Sequence, residues 1–266
     1  MDLELAGKVA IVTGGNRGIG KAIARELARE GAQVAIVARN RPALEEAAAE
    51  LARDTNGKVR PFVADTGDDA QVKRMVADVV AAFGRIDILV NCAAKPSGQS
   101  KPPTLAELTT EELWDHVNVK VMGYIRTARE VAPHMIRQGG GRIINISGLG
   151  ARTTGTTIGS IRNVGVSALT KNLADELGPH NIQAICVHPG LTRTEATPGV
   201  IARAAQAQGK SEAEVEKAMA GRNLVRRIIT SQEIAYLVAF LASPKAIAVN
   251  GDSIPAGGGT PGSIYY

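Results

Sequence analysis

Thr13-Gly14-Gly15-Asn16-Arg17-Gly18-Ile19-Gly20 is the first segment whose residue types and spacing could do chemistry. It lies between a β-branched apolar run, Lys8–Thr13, and an Ala/Leu-rich helical stretch from about Gly20 to Arg29. At such a junction the chain must turn sharply, and glycine lets the backbone come close to a diphosphate. The N-terminus of the following helix adds free N–H donors and the positive end of its dipole. Arg17, Arg39 and Arg41 fall near this loop, which points to a small anionic ligand.

Other reactive residue types are sparse. His116 and His134 fall on a long helical stretch and His180 in a turn. His188, just before Pro189-Gly190, reads as structural, with a role as an acid as the alternative. Cys92 and Cys186 each sit in an apolar run without metal-ligand spacing, which predicts no metal site and fits a reducing compartment. Thr153, Thr154, Thr156 and Thr157 form a cluster that is by default a polar loop, with substrate contact as the alternative.

The elements that must position these residues alternate along the chain. After the first strand and helix, Gln33–Val37 reads as a strand, and Pro42–Arg53 as a helix with Leu44, Ala47, Ala48 and Leu51 on one face. Lys58–Val63 is a strand, Asp68–Phe83 a helix, Ile86–Asn91 a strand, and Lys95–Pro103 a Pro/Ser/Gly/Lys loop. Thr110-Glu111-Glu112 opens a long helix through Arg137, with Leu113, Val117, Val121 and Tyr124 at helical spacing. Arg142–Ser147 is a strand, Ser160–Leu177 a helix, Ile182–Val187 a strand, Ser231–Leu241 a helix and Asn250–Ile254 a closing strand. This alternation predicts an α/β fold: a Rossmann-like, doubly wound parallel sheet in three layers. The polar, Ala-rich stretch Thr194–Arg226 reads as a mobile helical lid over the substrate, and the tail Thr260–Tyr266 as either a frayed end or a segment docking on a neighbour.

Length and composition agree with one domain over residues 1–266. At 266 residues the chain can bury a full core, and 44% hydrophobic content excludes disorder. Twenty-nine glycines with only 3% aromatics suit a sheet wrapped by Ala-rich helices rather than a β-sandwich. The net charge of +5 is spread along the chain with no basic, aromatic-interleaved tract, so nucleic acid is not an expected partner. Met1-Asp2-Leu3-Glu4 opens no signal peptide and no run approaches a membrane span, so a cytoplasmic protein without membrane contact is expected.

The Gly14, Gly18 and Gly20 spacing, TGxxxGxG, resembles the short-chain dehydrogenase/reductase family. The likeness runs from about Leu5 to Gly259. Asp65, with Thr66, follows the third strand where the family's Asp meets adenine. Asn91-Cys92-Ala93-Ala94 resembles the family's NNAG, which underlies the adenine ribose, and Asn118 falls in the place of its structural and catalytic Asn. Pro189-Gly190-Leu191-Thr192-Arg193-Thr194 fits the PGxxxT element that meets nicotinamide and diphosphate, and Gly251-Asp252 with Gly257-Gly258 resembles the closing strand and turn. The resemblance implies a cofactor site made by Gly14, Asn16, Arg17, Gly18, Ile19, Gly20, Arg39, Asp65, Thr66, Asn91, Ala93, Asn163, Pro189, Gly190, Thr192 and Thr194. It also implies a small-molecule substrate and a homo-oligomer, a dimer or tetramer pairing the helices of Glu111–Arg137 and Ser160–Leu177, with a hetero-oligomer as the alternative.

The second strand ends at Ala38-Arg39 with no carboxylate to hold ribose hydroxyls. Arg39 and Arg17 could instead hold a 2′-phosphate through charge-assisted hydrogen bonds, which favours NADP(H) over NAD(H). In the family a Tyr, with a Lys four residues later, serves as acid/base. Counting back from Lys171 and Pro189-Gly190 puts Gly159 in the Tyr place and Asn163 in the Lys place. Asn163 could still donate to a ribose hydroxyl. Ser167 and Lys171 repeat the spacing eight residues on, about 12 Å along a helix and out of reach. Gly148 stands where the family's catalytic Ser belongs, leaving Ser147 as a substitute or as a Ser bonded to local backbone. Asn118 and Ser147 are therefore the candidate catalytic residues. Two function classes emerge: an oxidoreductase with another proton source, suited to quinones or enones, or a silent NADP(H)-binding sensor or subunit.

Overall fold

The computed structural model describes residues 1–95 and 103–264. Positions 96–102 of the expected Lys95–Pro103 loop, and the last two residues of the tail, lie outside the described residues. The first half runs β1 (Val9–Thr13), α1 (Gly18–Arg29), β2 (Gln33–Ala38), α2 (Arg41–Thr55), β3 (Val59–Val63), α3 (Asp69–Phe83) and β4 (Ile88–Asn91). The second runs α4 (Thr110–Val117), α5 (Gly123–Gln138), β5 (Gly141–Ile146), α6 (Thr157–Leu177) and β6 (Ile182–Pro189). It continues through β7 (Thr192–Arg193), α7 (Thr197–Gln208), α8 (Glu212–Ala220), β8 (Ile229–Thr230), α9 (Ser231–Ala242) and β9 (Ser253–Ala256).

Seven strands form one parallel sheet in the order β3-β2-β1-β4-β5-β6-β9. The short strands β7 and β8 pair separately beyond its edge. The winding reverses between β1 and β4, and a crevice opens at the carboxyl ends of strands at such a reversal. Strand side chains alternate between two cores. Ala10, Val12, Val34 and Ile36 pack with α1, α2 and α9, while Val9, Ile11, Ala35 and Val37 pack with α3, α5 and α6. Burial on both faces explains why these strands read as unbroken apolar runs.

Caps set several helix starts. Asn40 accepts from Ala43 N at 3.0 Å, Asp68 from Gln71 N at 2.9 Å, and Thr156 from Gly159 N at 2.8 Å. Thr230 and Glu233 make a reciprocal capping box at α9.

Two expectations are corrected and a third gains detail. The closing strand is Ser253–Ala256, not Asn250–Ile254, because Gly251 takes φ +72° and turns the chain before pairing begins. The stretch Thr194–Arg226 holds two helices, α7 and α8, packed on each other through Ile201, Ala205 and Val215. The long helix over Glu111–Arg137 is interrupted by a π-helical segment, Asn118–Met122, between α4 and α5. An extra residue in a helical turn rotates every later side chain about the axis, and such segments often mark functional sites.

Candidate functional site

A cleft of about 1800 Å³ opens at the carboxyl ends of the central strands. Its first wall is made of backbone. Gly14 N donates to Val37 O at 2.8 Å, and Thr13 Oγ1 accepts from Cys92 N and Ala93 N at 3.0 and 3.1 Å. These bonds tie the ends of β1, β2 and β4 together at the reversal. A Cβ at Gly14 would stand 3.1 Å from Ala93, and one at Gly20 only 2.3 Å from Gly14 O. Close approach, not flexibility alone, demands glycine there.

This wall fits the dinucleotide that the family resemblance implies. Asn16, Arg17, Gly18 and Ile19 line it at the N-terminus of α1, where free N–H groups favour an anion. A carboxylate already takes that place: Glu195 Oε1 accepts from Gly18 N at 2.9 Å. Arg39 lines the same wall, 67% exposed, with Nη1 3.7 Å from Asp65 Oδ2. Asp65 also accepts from Gly67 N at 2.8 Å, which orients its carboxylate beside the cleft. Thr66, Ala93, Pro189, Gly190 and Thr194 line it too.

Three expected residues are not on the cleft wall. Asn91 is fully buried between strands, with Nδ2 3.0 Å from Asn145 Oδ1 and Oδ1 accepting from Thr127 Oγ1 at 2.6 Å. Its role is to brace β4 against β5 and α5. Thr192 turns its hydroxyl back to Gly190 O at 3.0 Å. Asn118 reaches Gly67 O at 3.4 Å, and its own carbonyl accepts from Arg126 Nη1 at 3.2 Å. It anchors the π segment to the loop after β3 instead of facing the cleft.

The second wall is made of side chains from β5, α6 and the π segment. Gly159 and Asn163 both line it, as do Ser147 and Gly148. Ser147 Oγ donates to Asn163 O at 2.9 Å, so the hydroxyl is tied to the helix backbone. Lys120, which sequence reasoning missed, lies at their centre and is only 4% exposed. Its Nζ donates to Ser147 O and to Asn163 Oδ1, both at 2.9 Å. Burial, with the nearby Arg162 guanidinium, lowers its pKa from the usual 10.5 to about 7. The signal was available: Lys120 is three residues after Val117 and four before Tyr124, on an otherwise apolar stripe.

The neighbours of this wall are polar and buried. Arg162 Nη1 lies 2.7 Å from His116 Nδ1 and donates to Lys95 O at 3.2 Å. Tyr124, on the first turn of α5, is buried and donates to Ile146 O at 2.9 Å. Burial raises the Cys92 thiol to about 11, so it is an inert thiol at neutral pH. Thr153, Thr154 and Thr156 line the cleft, and Thr156 spends its hydroxyl capping α6.

His188 belongs to a different place. It is 1% exposed, with Nε2 3.0 Å from Ser167 Oγ, in a smaller cavity beside Asp252 and Ser253. Burial lowers its pKa to about 4, so it is neutral at pH 7 and cannot serve the cleft as an acid. Lys171 pairs with Asp175 at 2.8 Å on the surface, away from the cleft. Among the described residues no cluster of His, Cys, Asp and Glu could hold a metal ion, and no helix is long and apolar enough to cross a membrane.

Residues 14–260 match a family model described as enoyl-(acyl carrier protein) reductase. The short-chain reductase protein NovJ of Streptomyces niveus is 37% identical over 255 residues, covering 95% of this chain and 94% of its own. Dehydrogenase/reductase SDR family member 4 of Homo sapiens is 34% identical over 266 residues, covering 98% and 90%. Among solved structures, L-sorbose reductase of Gluconobacter frateurii, complexed with NADPH and L-sorbose, superposes with a TM-score of 0.93 at 30% identity over 99% of this chain and 100% of that one. An actinorhodin polyketide ketoreductase variant with NADPH gives 0.88 at 30% identity over 96% and 98%.

Proposed function

The chain belongs to the short-chain dehydrogenase/reductase family of NAD(P)-dependent oxidoreductases, and from that premise we propose an NADP(H)-preferring reductase of small carbonyl or enone compounds with an unusual reaction centre. The observation that carries the cofactor preference is the end of β2. Ala38 and Arg39 line the cleft there, with no carboxylate at the strand end to repel a 2′-phosphate. The structures of NADPH-bound relatives support the same reading. Gly14, Gly18 and Gly20 would cradle the diphosphate, Asp65 the adenine, and Pro189 to Thr194 the nicotinamide side. A bound nicotinamide supplies or accepts hydride.

What this chain's own residues do there is bind, orient and hold a proton. Asn163 and Ser147 frame the reaction wall from α6 and β5. The absence of side chains at Gly159 and Gly148, where the family resemblance places Tyr and Ser, leaves open volume for a substrate. The helices α7 and α8 would form the lid, since Met219, Arg222 and Asn223 reach the cleft from their side. Exposed Trp114, Ile161 and Val164 on α4 and α6 support pairing of these helices in a homo-oligomer. Two free, largely buried cysteines suit a reducing cytoplasm.

The test is NADPH and NADH oxidation against a panel of ketones, quinones and enones, alongside cofactor titration by fluorescence. Turnover with NADPH ahead of NADH is expected. Cofactor binding with no turnover of any acceptor would instead mark a silent sensor or subunit.

A further inference from the structure

We propose that Lys120 Nζ is the proton donor of this reaction centre, delivered from the π segment between α4 and α5 to the wall formed by Ser147 and Asn163. The inference rests on the oxidoreductase reading above and adds the group that reading leaves unnamed. Three observations carry it. First, Lys120 is almost wholly buried and yet lines the cleft, and its amine bonds Ser147 and Asn163, which line the same wall. Second, two acceptors hold it. Ser147 O and Asn163 Oδ1 take two of its three N–H bonds at 2.9 Å each, and among the described residues no third acceptor engages it. The amine is therefore held by two bonds and keeps one hydrogen to give. Third, Gly159, in the place of the family's Tyr, lines the cleft without a side chain of its own, and a Cβ there would meet only the Thr156 side chain, at 2.4 Å.

The surroundings favour an amine that exchanges protons near neutrality. Every charged neighbour with a resolved influence on Lys120 can be named: Arg162 on α6 disfavours the ammonium, while Cys92 after β4 and Cys186 on β6 would favour it only as thiolates. Burial raises both thiols, so they are neutral at pH 7. His188 on β6 also feels Lys120 but is itself neutral there. Among the described residues no carboxylate faces the amine to hold it charged. An ordinary lysine at pKa 10.5 would be a poor acid at pH 7, whereas one lowered toward 7 is matched to the task.

The step balances. With hydride supplied to carbon by a reduced nicotinamide, the carbonyl or enolate oxygen takes a proton from Nζ. The O–H bond forms, one N–H bond breaks, and its electron pair stays on nitrogen as the neutral amine's lone pair. Water entering through the cleft restores the ammonium. In the oxidative direction the same lone pair accepts the alcohol proton.

The test uses the full chain carrying 13Cε-labelled lysine, with Lys120→Met and Lys120→Arg. The signal lost in Lys120→Met should titrate near pH 7, while the other lysines titrate near about 10. Both variants should bind NADPH within about threefold of wild type and lose about 10²–10⁴ in kcat, together with the neutral limb of its pH profile. Arg keeps the charge but cannot release the proton, so its failure separates proton transfer from simple charge. A midpoint above about 9, or a Lys120→Met enzyme with unchanged kcat and pH profile, overturns the assignment. If wild type binds NADPH but turns over no acceptor, the oxidoreductase reading and this step fall together. Turnover that survives Lys120→Met overturns the step alone.

Discussion

The two walls of the cleft are built in different ways. The wall at β1 and α1 is mostly backbone: glycines, a helix N-terminus, and main-chain N–H groups that donate to Thr13 Oγ1 and Val37 O. The wall at β5, α6 and the π segment is a packed set of polar side chains: Lys120, Asn163 and Ser147, with Arg162 beside them. The backbone wall tolerates little change: a Cβ at Gly15 or Gly20 would collide, one at Gly14 would crowd Ala93, and Gly18 takes φ +57°. A side-chain site depends on which groups packing brings together, as Lys120 of the π segment and Asn163 of α6 illustrate. The glycine requirement of the first wall is steric, whereas the second wall depends on which side chains meet there.

Restoring the family's lysine should break the second wall most severely. Asn163→Lys would bury a second ammonium against Lys120, which now bonds Asn163 Oδ1 at 2.9 Å. We expect a loss of about 3 kcal/mol or more in urea unfolding at pH 6. The loss should shrink at pH 9, where Lys120 is neutral, and be largely relieved by adding Lys120→Met. Restoring the tyrosine meets a different obstacle, since a Cβ at Gly159 would lie 2.4 Å from Thr156 Oγ1, the cap of α6.

The pH dependence of stability sharpens the same contrast. Lys120 has a folded pKa of about 7 against 10.5 in the unfolded chain. The unfolded state therefore binds more protons between these values, and this group makes stability rise as pH increases from about 7 to 10. Lys120→Met should remove that slope, contribute a few kcal/mol at pH 7, and leave the thermal midpoint at or above that of wild type.

On the backbone wall, Gly20→Ala should cost about 1–3 kcal/mol and weaken NADPH binding, read by calorimetric melting and fluorescence titration. Arg39→Ala should raise the Kd for NADPH about tenfold and that for NADH much less, because the loss of the Asp65 pair is common to both cofactors while only NADPH also loses a partner for its 2′-phosphate. The smallest effect expected is at Glu195. Its carboxylate competes for Gly18 N, so Glu195→Gln should tighten NADPH binding about two- to fivefold. Unchanged affinity would mean that the carboxylate leaves its place at no cost.

Much of this was legible in the sequence because periodicity and backbone demands are local. Alternating apolar runs and amphipathic stretches located the main elements, and Asn40, Asp68 and Thr230 cap helices that those patterns had outlined. The glycine loop was legible for the same reason: its requirement is steric and lies within eight residues. The π segment was not, since an inserted helical residue leaves the apolar pattern nearly intact while rotating every side chain beyond it. Asn118, expected at the reaction centre, instead bonds the loop after β3. Asn91 keeps its strand-end position and braces β5 and α5 rather than lining the cleft.

The sequence by itself determined a parallel sheet wrapped by helices and a glycine loop at its first turn, because apolar periodicity and close backbone approach are local demands. Only the tertiary structure decided where the proton-bearing group lies. Lys120 and Asn163 are separated by 43 residues, and nothing local links them. Packing the π segment against β5 and α6 takes the amine out of water and leaves it with two neutral acceptors and a nearby guanidinium. Burial and neighbouring charge set a pKa, and both are properties of the folded chain rather than of the residue.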